Sequence, residues 1–313
     1  MKTPLSPTPL ELHGATHEPL NFIMPALACD CHTHVFGPAN KFPFAADRQY
    51  TPGDASVAEL LALQAHLGLQ RVVIVHSSPY GADNACTVDA LRQLGDRARG
   101  VAVIDTGTTD AELRDMHEAG VRGVRLNLET TGISDPLLAA EQLRWASARV
   151  APLGWHLQMY TQLSVVVSLK DEIAALSIPL VVDHFCRAPA ALGMDQPGFD
   201  VLLNLVRAGK VWVKLSAPHR ISNLPDCEDA KPLVQALIAA NPDRMLWGSD
   251  WPHPGAKPGK PRRVDEIESF NPINDGRALN RLNEWVGDAA TLHKILVDNP
   301  AHFYDFWSLT STT

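Results

Sequence analysis

From residue 27 onward, short apolar runs alternate along the chain with longer stretches whose apolar positions recur every three or four residues. The first pair, Leu27–His34 followed by Ser56–Leu67, reads as a strand and a helix. Seven more strand-like runs follow, each with a helical stretch behind it: Arg71–His76, Gly100–Asp105, Val121–Asn127, Trp155–Tyr160, Ile178–His184, Val211–Ser216 and Arg244–Asp250. Their interiors, such as Val72–Val75 and Pro179–Asp183, are continuous apolar runs, as parallel strands covered on both faces require. Eight such units predict an α/β fold of the TIM-type (β/α)8-barrel kind, because an open sheet of eight strands more often splits or adds antiparallel edges.

A chain of 313 residues with 45% hydrophobic and 20% charged residues suits one barrel with a large core. The expected division is an irregular N-terminal arm over residues 1–26 and a catalytic barrel over 27–313. The arm carries Pro4, Pro7, Pro9, Pro19 and Pro25 and lacks the cationic start and apolar core of a signal peptide. Trp251–Gly276, rich in Pro and Gly and carrying Lys257, Lys260, Arg262 and Arg263, is long for a loop after a barrel strand and reads as a lid.

The net charge of −8 and the lack of a basic run argue against nucleic acid as a partner. No apolar run reaches the roughly 18 residues of a membrane helix. The five cysteines, Cys29, Cys31, Cys86, Cys186 and Cys227, are an odd number with no CxxC pair, so a disulfide framework is not expected and a cytoplasmic location is. No pattern speaks to the oligomeric state.

Polar residues gather where the strands end, which in a barrel is the active face. His32 and His34 stand two apart on the first strand, so strand periodicity turns both imidazoles to one side. By the same alternation, Cys31 between them is expected to face the helix layer. His184 ends the sixth strand and by itself would suit a structural role. Asp250 ends the last strand, which closes beside the first, so its carboxylate lands near the two histidines. Three imidazoles and a carboxylate could hold one zinc ion, or could act without metal, the histidines polarising a carbonyl and Asp250 taking a proton from water. A lysine ending a central strand, as bridged two-metal barrels use, is not evident in Val121–Asn127 or Trp155–Tyr160, which disfavours a two-metal site. Arg125, Arg187 and Arg220 lie at or just past strand ends and suggest an acidic substrate bound in bidentate fashion. Tyr50 and Tyr160 could donate hydroxyls. Ser78 with His76 nearby lacks the GxSxG elbow of a serine nucleophile.

The run Asp30–Cys31–His32–Thr33–His34–Val35–Phe36–Gly37–Pro38, with Val182–Asp183–His184 and Trp247–Gly248–Ser249–Asp250–Trp251–Pro252–His253–Pro254, resembles the amidohydrolase superfamily. Within it the chain is most similar to the branch of 2-pyrone-4,6-dicarboxylate lactonase, 4-sulfomuconolactone hydrolase and galactarolactone isomerase. The resemblance implies hydrolysis of a small anionic, carboxylate-bearing lactone, with His32, His34 and His184 around the carbonyl and Asp250 activating water. It further implies that Tyr50, Ser78, Arg125, Tyr160, Arg187 and Arg220 contact the substrate. Where the pyrone lactonase has a further basic residue, this chain runs Glu129–Thr130–Thr131, so one carboxylate clamp is missing. The branch implies catalysis without a cofactor, with zinc on His32, His34, His184 and Asp250 as the alternative. The competing activities are a lactone isomerase and a zinc-dependent decarboxylase of the aminocarboxymuconate-semialdehyde decarboxylase type.

Overall fold

The computed structural model describes residues 8–132, 135–257 and 261–306; Pro4, Pro7 and Lys260 lie outside them. Eight parallel strands form the barrel: β1 Cys29–Thr33, β2 Arg71–Val75, β3 Ala98–Ala102, β4 Val121–Asn127, β5 His156–Tyr160, β6 Leu180–Val182, β7 Val211–Ser216 and β8 Met245–Gly248. Helices follow most of them, beginning with Val57–Leu67, which Ser56 and Glu59 cap reciprocally as a capping box. This is the expected fold.

β4 and β7 have the expected bounds and the other strands are shorter or shifted; for β3 and β6 the local reason is plain. β3 starts two residues early and stops at Ala102 because the Asn84 side chain takes the place of a strand partner, accepting from Val103 N at 3.0 Å and donating to Val103 O at 2.7 Å. β6 is cut to three residues because His184, Phe185, Cys186 and Arg187 all have positive φ, between 48° and 57°. A left-handed run of non-glycine residues costs about 1–2 kcal/mol per residue. It turns the chain sharply at the active face.

The arm is less irregular than its prolines suggest. Leu10–Leu12 and Ala15–His17 pair antiparallel around His13 and Gly14, both at positive φ, the conformation that a tight hairpin favours. The segment behind this hairpin docks on the start of the helix Asp275–Val286. Glu18 N donates to Asn274 Oδ1 at 3.0 Å, Asn21 N to Asn280 Oδ1 at 2.8 Å, and Asp275 sits buried between His17 and His253.

Inside the barrel, Cys29, Cys31, Val73, Val75, Val101, Val181, Trp212 and Leu246 form a buried cluster, and Ala301, Tyr304 and Phe306 pack against it. Cys31 therefore belongs to the barrel interior, not to the helix layer. Its register explains why: β1 shifts against β2 between Asp30 and Thr33, so strict alternation fails there and Cys31 and His32 both turn inward.

The barrel closes between β1 and β8 through few bonds. His34 N donates to Trp251 O and Asp250 N to His32 O, each at 2.8 Å. The Asp30 carboxylate bridges the same seam, Oδ1 accepting from Ser249 N at 2.9 Å and from His32 N at 3.1 Å. Gly248 permits the approach, since a Cβ there would lie 2.6 Å from His32 Cβ. Asp30→Ala would leave two buried N–H groups unpaired, and we expect a loss of about 2 kcal/mol in urea unfolding. Asp30→Asn, which retains an acceptor oxygen, should recover most of it.

Candidate active site

At the seam, β1 presents His32 and His34, the left-handed turn after β6 presents His184, and Asp250, itself at φ 72°, follows β8. All four are buried. Asp250 Oδ1 faces three imidazole nitrogens: His34 Nε2 at 3.5 Å, His184 Nε2 at 3.6 Å and His32 Nε2 at 3.7 Å. Neither Asp250 Oδ1 nor His32 Nε2 has a hydrogen-bond partner. The other oxygen, Oδ2, accepts from Arg220 Nε at 2.7 Å and lies 2.6 Å from its Nη2.

The far side of each ring differs. His34 Nδ1 meets the Val75 carbonyl at 2.8 Å, which can only accept, so neutral His34 carries its proton on Nδ1. His184 Nδ1 meets the Ser216 hydroxyl at 2.8 Å, which can give or take. His32 Nδ1 lies 3.3 Å from both Lys214 Nζ and Asp183 Oδ1.

Lys214, Asp183 and Gln158 form a floor that the residue list from sequence leaves out. Lys214 is wholly buried in mid-strand, donating to Gln158 Oε1 at 2.6 Å and lying 3.6 Å from Asp183 Oδ1. Asp183 Oδ2 accepts from Arg125 Nε at 3.1 Å and Gln158 Nε2 at 3.0 Å. A signal was present: Lys214 shares inward parity with Ser216, and Gln158 with Tyr160.

Above this floor opens a cavity of about 460 Å³. Of the ten residues expected at the site, nine line it: His34, Tyr50, Ser78, Arg125, Tyr160, His184, Arg187, Arg220 and Asp250, with His32 directly beneath. Arg187 lies 3.6 Å from Glu129, which also lines the cavity. Arg220, expected on substrate, has Nε and Nη2 engaged by Asp250 and by Pro254 O. His76 contacts Thr87 Oγ1 and Gly81 O through its two nitrogens and does not line the cavity, so it serves the β2 turn rather than Ser78. The long loop after β8 contributes Pro254, Gly255, Ala256, Arg262 and Asn271 to the cavity wall.

A family profile described as amidohydrolase matches residues 29–306. The chain belongs to the amidohydrolase family. It is 39% identical over 293 residues to a 2-pyrone-4,6-dicarboxylate hydrolase of Comamonas testosteroni, covering 90% of this chain and 92% of that one. It is 38% identical over 295 residues to a 4-sulfomuconolactone hydrolase of Rhizobium radiobacter, covering 93% and 94%. A solved structure from Pseudomonas putida, described as a candidate 2-pyrone-4,6-dicarboxylic acid hydrolase, superposes with a TM-score of 0.76 at 32% identity, covering 91% of this chain and 99% of that one.

The electrostatics of this amidohydrolase follow from burial and pairing. Burial works to raise the Asp250 carboxyl, but Arg220, His184 and the other imidazoles outweigh it and hold it well below the usual carboxylate range. Asp183 is lowered likewise, burial being overcome by His32, Lys214 and Arg125. Burial takes His32 down to about 3 despite Asp183, with Lys214 adding to the effect. His184 is lowered mainly by burial too. The resting site thus holds ionised carboxylates beside neutral His32 and His184.

Lys214→Met leaves Asp183 buried with one cation fewer, which for a broken buried pair costs about 3–5 kcal/mol. Adding Asp183→Asn should restore part of that loss in urea unfolding, a non-additivity of at least about 1 kcal/mol if the two charges act as a pair.

Proposed function

We propose that this amidohydrolase opens a small carboxylate-bearing lactone by adding water to the ring carbonyl. The observation that carries the reading is the convergence of three imidazole Nε2 atoms on Asp250 Oδ1 within a cavity that arginines line. The two curated relatives support it, since the name of one is that of a pyrone-dicarboxylate hydrolase and of the other a sulfomuconolactone hydrolase.

Asp250 Oδ1 is the base. It takes one proton from a water as the water oxygen bonds to the carbonyl carbon. The ring partners divide the expected common role of the histidines. His32 Nδ1 stands equally close to a donor, Lys214 Nζ, and an acceptor, Asp183 Oδ1; in the tautomer that accepts from Lys214 the proton is on Nε2, where it can donate to the developing oxyanion. His34, whose proton sits on Nδ1, offers Nε2 as an acceptor and works beside Asp250 on the water. His184 serves either side through the Ser216 hydroxyl. Collapse of the tetrahedral adduct breaks the acyl–oxygen bond, and the proton held at Asp250 passes to the departing ring oxygen. The product is the ring-opened acid.

Arg220 links binding to base strength. While it holds Oδ2, Asp250 is a weak base. A substrate carboxylate that draws the guanidinium away frees Asp250 to take a proton more readily. Tyr50, Ser78, Arg125, Tyr160 and Arg187 complete the substrate wall.

The unpartnered Asp250 Oδ1 and His32 Nε2 also fit a divalent ion. His32, His34, His184 and Asp250 would hold it, and it would supply Lewis-acid polarisation of the carbonyl. Charge favours the metal-free form: Lys214, Arg125 and Arg220 already exceed Asp183 and Asp250 by one positive charge.

Asp250→Asn should cut turnover about a thousandfold or more on a lactone that the wild type opens, while a non-reactive carboxylate analogue still binds. Turnover near the wild-type rate would remove Asp250 as the base. Turnover should persist in chelator, with less than stoichiometric zinc in the purified protein; loss on chelation and recovery with zinc would reverse the metal assignment. A lowered carboxyl pKa means that the base form survives as pH falls, so the acid limb of kcat/KM should lie below the ordinary carboxylate range. In Arg220→Met the burial of Asp250 is unopposed, and the limb should move up by about one unit or more.

A further inference from the structure

Each arginine on the cavity wall already has a carboxylate. For Arg220 and Arg187 the partners are Asp250 and Glu129, which line the cavity themselves, and for Arg125 it is Asp183 in the floor. An anion near Arg220 or Arg187 meets a carboxylate on the same wall. Arg125 and Arg262 have partners off the wall, Asp183 in the buried floor and Glu268 in the loop, and Glu268 holds Arg262 in bidentate fashion, accepting from Nε at 2.9 Å and Nη2 at 2.7 Å. That pairing uses two of the five N–H groups of a guanidinium and leaves three.

Arg262 is also fixed in place. Its guanidinium lies 3.8 Å over the Tyr50 ring, itself buried at the cavity wall. The loop that carries it is stitched to the segment around Tyr50. Ile267 and Glu268 pair with Thr51 and Pro52, and Val264 O accepts from Thr51 Oγ1 at 2.6 Å and from Arg48 Nη2 at 3.2 Å. An arginine held by stacking and by an outside carboxylate loses little side-chain freedom when it takes a ligand.

We propose that Arg262, stacked on Tyr50, is a specificity-determining residue that binds a second anionic group of the substrate. The inference rests on the lactone reading for the nature of the substrate, but its test does not need turnover. The second anion is a carboxylate or a sulfonate, either of which accepts from a planar fork.

The probes are benzene-1,3-dicarboxylate and benzoate, rigid acids with two and one anionic groups, titrated calorimetrically into wild type, Arg262→Met and Glu129→Gln. Wild type should bind the diacid at least about tenfold more tightly than the monoacid, the worth of one charge-assisted contact. Arg262→Met should erase that difference and leave benzoate within about twofold, a split that misfolding would not give. Arg262→Lys, which keeps the charge without the fork, should fall between. A wild type without preference for the diacid overturns the proposal. So does a preference that survives Arg262→Met, or one that rises in Glu129→Gln while Arg262→Met changes nothing. Failure of the lactone reading would appear separately, as no turnover on a lactone panel with the diacid preference intact.

Discussion

The site depends on how the barrel closes. A ring of parallel strands has to join its last strand to its first, and here it does so with two backbone hydrogen bonds and one buried carboxylate, Asp30. Those bonds involve His32, His34 and Asp250 through their own backbone atoms. Closure and the gathering of the reactive side chains are therefore one event. Gly248 is part of the same constraint, because a side chain there would force β8 away from His32. A chain that misregistered this seam would lose both a stable barrel and the site.

Beneath the seam, the interior is charged where a barrel core is usually apolar. Asp183 stands between Lys214, Arg125 and His32, with Gln158 bridging. Buried ions cost several kcal/mol each unless they are paired and hydrogen-bonded. What this layer supplies is orientation: the groups on either side of His32 Nδ1 decide which nitrogen of that ring bears the proton. The bottom of the barrel compensates with apolar closure by Tyr304 and Phe306, over whose rings Lys214, Arg71 and Arg99 lie.

Much of the barrel was legible in the sequence, because eight continuous apolar runs separated by helical periodicity admit few topologies, and the last strand of a barrel must meet the first. That is why His32, His34 and Asp250 could be brought together by parity and closure alone. Three features were not legible, each for a definable reason. The turn from His184 to Arg187 is left-handed without a Gly or Asn to announce it, so nothing local marks the strain that aims both side chains at the cavity. Cys31 turned inward because a register shift, invisible to a rule of alternation, interrupts β1. Lys214 was hidden by its apolar neighbours, since a mid-strand lysine reads as an exception until its partners Asp183 and Gln158 are found on other strands. Arg262 belongs to a loop, whose course follows from tertiary contacts rather than from periodicity, and Glu129 to the single helical turn Leu128–Thr131 behind β4.

Because Arg220 and Arg187 are paired with carboxylates that share the cavity wall, binding an anion at either is an exchange of partners. There an anion gains the guanidinium only as a protein carboxylate shares or yields it, so net affinity comes from geometry more than from charge. The exchange has a chemical consequence at one position. Where the displaced carboxylate is Asp250, losing part of its guanidinium contact raises its affinity for a proton, which is what the proposed attack of water would require. At Arg187 the displaced group is Glu129, which has no reaction to serve and simply disfavours an anion there. The same pairing rule thus couples binding to reactivity beside the histidines and filters substrates at the rim.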